Sequence, residues 1–182
     1  GGLDFVMEYV DGVSITKYCD QHKLSIDERL WLFAQACQAI QYAHQKGVLH
    51  RDIKPSNILV CRQGDSRVLK VIDFGIAKAI AEPSGERTAL TEQGQLLGTP
   101  EYMSPEQADL AYGRIDTRSD VYSLGVVLYE LLAGVPPFEG KALRRGGIEH
   151  IRQIIRDEEP ITPSARLTAL GKQAKEVAGM RR

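Results

Sequence analysis

Apolar and polar residues follow two different rhythms along this chain, and the rhythms divide it into elements. Residues 5–9 form a short, mostly apolar run that reads as a strand, and Asp11-Gly12 behind it is a turn signal. Residues 14–22 read as a short helix. Ser25 and Glu28 stand at capping-box spacing, which predicts a long helix after them. In it Leu30, Phe33, Cys37 and Ile40 recur at helical intervals and predict one apolar stripe, which Gly47 ends. Residues 58–60 and 68–72 are β-rich, and Gln63-Gly64-Asp65 between them predicts a small hairpin. Residues 79–97 lose all periodicity and carry Pro83, Gly85 and Gly94, so they read as one long loop. Asp120 then opens a helix that is apolar nearly all round, through Val121, Leu124, Val126, Val127, Leu128, Leu131 and Leu132. Such a helix belongs in the middle of a core, and Gly134 and Pro136-Pro137 stop it. A more polar helix over 142–156 follows, closed by Pro160 and Pro163, and residues 164–182 are weakly helical.

Composition narrows the function without naming it. The 182 residues suffice for one domain with a sizeable core, and 43% apolar with 26% charged residues is the balance of a soluble globular protein. Acidic and basic residues nearly cancel, 24 against 23, so no net field exists to hold nucleic acid or a membrane surface. The Arg144-Arg145 and Arg181-Arg182 pairs are too short to change that. The longest apolar run, 121–133, is too short and too polar to span a bilayer, so no membrane contact is expected from this segment. Cys19, Cys37 and Cys61 are odd in number and far apart, with no CxxC pair, which reads as reduced structural thiols in a cytoplasmic setting.

The chemistry sits in three short motifs. His50-Arg51-Asp52-Ile53-Lys54-Pro55-Ser56-Asn57 comes first, Asp73-Phe74-Gly75 follows the second β-rich run, and Ser104-Pro105-Glu106 lies beyond the long loop. One such motif could arise by chance; the ordered set does not. From about residue 5 to 163 the chain resembles the serine/threonine protein kinase family, and the Ser104-Pro105-Glu106-Gln107-Ala108 run looks most like its bacterial members. The resemblance implies an α+β fold, the mainly α-helical large lobe of a kinase with a small β-hairpin. The whole of residues 1–182 is then one partial domain, running from the hinge through the catalytic loop and activation segment to the helices beyond.

It also implies an activity: transfer of the ATP γ-phosphate to Ser or Thr hydroxyls of a protein substrate. ATP brings several negative charges, so catalysis of this kind is mostly positioning plus electrostatic compensation. Magnesium bridges the phosphates and wants oxygen ligands, which Asn57 and Asp73 supply. Asp52 accepts the proton of the attacking hydroxyl, and Lys54 reaches the moving phosphate. Met7, Glu8 and Val10 resemble the hinge that grips adenine, with Met7 as gatekeeper, and Leu59 resembles the residue packed beneath the ring. Thr99 resembles the threonine that bonds to the catalytic Asp and Lys. Asp120 resembles the buried carboxylate that holds the catalytic-loop backbone, a role compatible with capping a helix. Arg51 before Asp52 implies control by phosphorylation of the activation loop at Thr91, or next Thr88, the phosphate pairing with Arg51 and Lys78.

Other residues have plainer readings. His50 is expected to be a packed, hydrogen-bonded core residue rather than a base, and His22, His44 and His150 to be surface or helix residues. The chain carries no Gly-rich phosphate loop, no strand lysine with its helix glutamate, and nothing after Pro163 that resembles the partner arginine of Glu106. The 182 residues are therefore expected to be a kinase domain cut at both ends, with little turnover alone; the rest of the protein could include a membrane anchor. The alternative of another class is a pseudokinase-like module that binds nucleotide or a partner without chemistry. A small-molecule kinase is disfavoured because residues 98–107 resemble a peptide-substrate platform.

Overall fold

A computed structural model describes residues 8–64, 66–74, 99–171 and 179. It is mainly helical, with one three-stranded antiparallel sheet in the order β1-β2-β3. Strand β1 (Val13–Ser14) pairs with β2 (Ile58–Gln63), Val13 facing Val60 and Ser14 facing Leu59. Strand β3 (Ser66–Val71) completes the anticipated hairpin, Gln63 opposite Ser66, with Gly64 at φ +61 in its turn. The apolar run expected as a strand at 5–9 lies mostly outside the described residues, and Glu8 to Val10 have no regular structure. Ser14, expected to begin a helix, ends β1 instead and caps α1 (Ile15–Gln21).

Helix α2 (Ile26–Gln45) starts where the capping box places it. Ser25 Oγ accepts from the Glu28 N–H at 3.3 Å, and the Glu28 carboxylate accepts from the Ser25 N–H at 2.9 Å. Its buried stripe, however, runs through Arg29, Leu32, Ala36, Ile40 and Ala43, and Leu30 is 39% exposed. The stripe inferred from apolar residues alone is rotated, because a charged residue occupies the core line. Arg29 is buried and fully engaged: its guanidinium donates to the Leu24 carbonyl at 2.9 Å, reaches the Leu131 carbonyl at 3.5 Å and pairs with Asp20 at 2.9 Å.

After the short helix α3 (Pro105–Ala108) comes α4 (Thr117–Ala133), the central helix. It begins three residues before the expected start, with Asp116 as its N-cap accepting from the Arg118 N–H at 2.8 Å. Asp120 thus lies in the first turn and is not the cap. Nor is α4 buried all round: Val121 is 61% exposed, while the inward face carries Ser119, Asp120 and Ser123 beside Leu124, Val127 and Leu131. Gly134, in the left-handed conformation at φ +82, stops it as anticipated.

The single polar helix expected at 142–156 is two, α5 (Gly140–Arg144) and α6 (Gly147–Asp157), parted at Gly146-Gly147 with Gly147 at φ +72. Pro163 opens a helix rather than closing one. It sits in the first turn of α7 (Pro163–Ala169), where its missing N–H costs nothing. One apolar cluster gathers α1, α2, α4 and the sheet around Leu32, Ile58, Val127 and Leu131; a smaller one joins Met103, Ala108, Leu143, Ile151, Ile154 and Ile155. The three cysteines are free. Among the described residues no helix is long and apolar enough to cross a membrane.

Candidate active site

The loop between α2 and β2 is built around one buried carboxylate. Asp120 is 1% exposed, and its Oδ1 accepts from the Arg51 N–H at 2.8 Å while Oδ2 accepts from the His50 N–H at 2.9 Å. Arg51 stands at φ +63, a left-handed conformation that costs a side-chain-bearing residue on the order of 1–2 kcal/mol. The amide–carboxylate bonds hold that conformation immediately before Asp52. Aspartate placed in the first turn of α4 is what the sequence supplies to do this.

His50 is fully buried and fastens the loop to β3. Its Nε2–H donates to the Ile72 carbonyl at 3.0 Å, its Nδ1 accepts from the Asp52 N–H at 3.3 Å, and its ring lies 4.6 Å from that of Phe74. Burial pushes the imidazole pKa below its ordinary value, despite the raising influence of Ile72 and Asp120. A protonated ring would also turn Nδ1–H against the Asp52 N–H. His50 is therefore a neutral packed residue, as anticipated.

Asp52, Lys54 and Asn57 meet on one oxygen. Lys54 Nζ is 2.8 Å from Asp52 Oδ2, and Asn57 Nδ2 lies 3.3 Å from the same atom while donating to the Asp52 carbonyl at 2.8 Å. The second motif is stitched to this loop. The Ile72 N–H donates to the Asn57 carbonyl at 2.9 Å, one residue before Asp73. Asp73 is exposed, at φ +57. Asn57 spends its amide nitrogen on Asp52; its side-chain oxygen, which accepts from Ser56 Oγ at 3.4 Å, and the exposed Asp73 carboxylate are hard donors that could hold a divalent cation. They suit magnesium, which takes one or two protein oxygens and completes its shell with phosphate and water.

Thr99 comes to the same place: it lines one small, partly open pocket with Asp52, Lys54 and Tyr102. The segment around it is pinned from two sides. Gln107 Nε2 donates to the Arg51 carbonyl at 2.8 Å, and Ser123 Oγ donates to the Tyr102 carbonyl at 2.7 Å. The Tyr102 hydroxyl donates to Glu130 at 2.5 Å; burial, then the neighbouring Glu130 carboxylate, raises the phenol pKa far above its ordinary value. Glu106 accepts from Ser119 Oγ at 2.5 Å.

An open cleft of about 480 Å³ lies beside these groups, lined by residues 8–10 and 70–73. Glu8, Val10 and Asp73 therefore share one cleft. Leu59, half-buried on β2, sits directly across the hairpin from Lys70. Met7, Gly75, Lys78, Thr88 and Thr91 lie outside the described residues.

Three contributors were missed from sequence. His44 was taken for an ordinary helix residue, yet its Nε2 lies 2.7 Å from Asp120 Oδ2. Gln107 was read only as part of a motif, and Lys70, which pairs with Glu8 at 2.5 Å, was not singled out. The His44 partner is 76 residues away, and no local signal announces it.

Comparison with known proteins identifies the family. Residues 2–178 match the protein kinase domain family. The chain is 45% identical over 162 residues to the serine/threonine-protein kinase PknB of Mycobacterium tuberculosis, covering 88% of this chain and 24% of that protein. It is 41% identical over 160 residues to a probable serine/threonine-protein kinase of Streptomyces coelicolor, covering 87% and 22%. A crystal structure of the Mycobacterium tuberculosis PknI kinase domain superposes with a TM-score of 0.59 at 27% identity, covering 97% of this chain and 59% of that one. The chain spans about a quarter of the length of the curated relatives it matches.

Proposed function

The chain belongs to the protein kinase domain family, and from that premise we propose that it is the large-lobe part of a serine/threonine protein kinase acting in the cytoplasm. The reaction is transfer of the ATP γ-phosphoryl group to a Ser or Thr hydroxyl of a protein substrate. The observation that carries this reading is the meeting of Lys54 and Asn57 on one oxygen of Asp52, on a loop bonded to the strand that delivers Asp73.

Asp52 accepts the proton of the attacking hydroxyl and orients its oxygen. Lys54, held beside it, compensates charge on the moving phosphoryl group. Thr99, in the same pocket, keeps that pair in place. Asn57 and Asp73 would hold magnesium, which would supply positive charge to the phosphate oxygens. Residues 7, 8 and 10 receive adenine, with Leu59 beneath it and the Lys70–Glu8 pair fixing the hinge against β3. Phosphorylation at Thr91 or Thr88, read by Arg51 and Lys78, controls the loop.

The test is phosphotransfer from labelled ATP to Ser/Thr peptides by the full-length protein. Asp52→Asn is expected to lower kcat by about 10²–10⁴-fold, the usual share of a positioned general base, with an unchanged unfolding midpoint. Transfer by Asp52→Asn at the unaltered rate, or nucleotide binding without any transfer by the unaltered protein, overturns the proposal.

A further inference from the structure

The segment that carries Thr99 also presents a carboxylate, and a neighbouring helix has already taken it. Glu101 lies in the short 3-10 turn Pro100–Tyr102. It stands between Thr99 and Tyr102, both of which line the pocket with Asp52 and Lys54. Successive Cα atoms are about 3.8 Å apart, so a long basic side chain flanking a hydroxyl held at Asp52 would come within reach of Glu101. The carboxylate is not free to meet one. Arg144, the last residue of α5, sets its Nη2 2.9 Å from Glu101 Oε1 and 3.2 Å from Oε2. The Glu101 side chain is 11% exposed and that of Arg144 56%, so the guanidinium forms the outer face of the pair.

Gly140, the first residue of α5, makes room for the pair. A Cβ built there would overlap Glu101 Oε1 and lie 2.7 Å from Arg144 Nη1. Gly140 is not among the glycines with positive φ, so the close approach of the carboxylate, not the course of the backbone, is what a side chain would disturb. Arg145, next along the chain, is exposed and supplies a further cation rather than a replacement anion. We propose that Arg144 is a specificity-determining residue: folded back over Gly140, it neutralises Glu101 and so removes a preference for Lys or Arg beside the Ser or Thr that is phosphorylated. This rests on the kinase reading above and deepens it. The favoured substrates are peptides that carry no required basic residue at the position facing Glu101.

The test is a ratio, so that general losses cancel. The parent is a Ser peptide with Ala at its flanking positions, and each relative carries one Arg in place of one Ala. With the full-length protein, kcat/KM for each Arg peptide is divided by that for the parent. In Arg144→Ala the highest ratio should rise about three- to fivefold over that of the unaltered protein, the scale of one ion pair near the surface. Gly140→Ala, which displaces the Glu101 carboxylate and leaves Arg144 present, should raise the same ratio. Arg144→Lys, which keeps the charge, should leave it near the unaltered value. Adding Glu101→Gln to Arg144→Ala should cancel the gain. An unchanged ratio in Arg144→Ala, or a gain that survives Glu101→Gln, overturns the proposal. So does an Arg preference of the unaltered protein that Glu101→Gln alone removes. Fluorescence anisotropy of the same labelled peptides gives the ratio as relative affinity, without transfer. If the unaltered protein binds peptides but transfers no phosphate, the kinase reading fails, while the binding ratio still decides the role of Arg144. Binding of no peptide by any of these proteins overturns both.

Discussion

The two apolar clusters of this chain are built differently. The larger, around Leu32, Ile58, Val127 and Leu131, encloses polar groups that are themselves bonded: Arg29, His50, Asn57 and Asp120 are all buried beside it. The smaller, around Leu143, Ile151, Ile154 and Ile155, is apolar inside and meets water through ion pairs, among them Arg144–Glu101 at 2.9 Å, Arg152–Glu149 at 2.6 Å and Arg166–Glu139 at 2.5 Å. In the first, removing one side chain strands several buried partners. In the second, removing one leaves a cavity, or a charge that water can solvate. Three of these polar groups, His50, Asn57 and Asp120, also bond the loop that carries Asp52, and Asn57 and His50 tie that loop to Ile72 beside Asp73. Precision is concentrated around the candidate site, and α5 and α6 are attached by more forgiving means.

The largest effect should come from Asp120→Ala, which strands the His50 and Arg51 amides and His44 together. Breaking a buried charged network by removing one partner costs about 3–5 kcal/mol, a large share of the roughly 5–15 kcal/mol that stabilises a domain. Urea unfolding should show this loss, with any folded remainder inactive. A loss below about 1 kcal/mol would mean that Asp120 is not the hub its bonds suggest. Ile154→Ala tests the other cluster. Truncating a buried Ile costs about 2–4 kcal/mol through transfer and cavity terms, but no donor is stranded near Asp52. Amide exchange at residues 50–52 and the kcat of the folded fraction should therefore be unchanged. If that variant loosens the catalytic loop, the two clusters are coupled more tightly than their construction implies.

His50 provides a smaller, pH-dependent comparison. Burial lowers its pKa in the folded state, and the unfolded imidazole titrates near its usual value of about 6.5. The unfolded chain thus binds the proton first. The stability that comes from keeping His50 neutral is complete above about pH 6.5 and is lost as pH falls below it, by at most about 1.4 kcal/mol per unit until the folded pKa is reached. Glu28, Asp116 and Asp157 have lowered pKa values, and their contributions persist down to the ordinary carboxylate range near pH 4. The window from pH 6.5 to 5 is thereby free of them. Urea midpoints across it should decline, with His50 ring resonances showing a neutral imidazole in the folded protein. Protonation of folded His50 near pH 6.5 without loss of the Ile72 bond would contradict the buried arrangement.

The candidate site was legible as a set of neighbouring residues because it is local. Asp52, Lys54 and Asn57 lie within six residues, Ser25 and Glu28 announce α2, and Gly64 marks the hairpin turn. What could not be read is what depends on distant partners. Arg29 looks like a surface residue until Leu24, Asp20 and Leu131 surround it, and for that reason the centre of the α2 stripe was misplaced, although Phe33, Cys37 and Ile40 do pack on the core. His44 looks ordinary until Asp120 arrives from α4. The break between α5 and α6 is signalled by Gly146-Gly147, which the expectation of one polar helix over 142–156 passed over. Pro163 can end a helix or begin one, and only its place after the Thr162 cap decides between them.

The smallest effect should be found at the rim of the second cluster. Arg166 on α7, its side chain 19% exposed, pairs with Glu139, whose side chain is 62% exposed and leaves the pair open to water on that side. An ion pair open to water gains modest Coulomb energy and pays side-chain entropy to form. A double-mutant cycle with Arg166→Ala and Glu139→Ala should therefore return a coupling of only about 0.2–1 kcal/mol. In 1 M salt the Debye length shrinks to about 3 Å, and most of that coupling should disappear. The Asp120 bonds to the His50 and Arg51 amides are shielded by the core, so the exchange protection they confer should barely respond to the same salt. A salt-resistant coupling above about 2 kcal/mol at Arg166–Glu139 would place that pair with the buried network, and the contrast between a precise catalytic cradle and a loosely moored periphery would no longer hold.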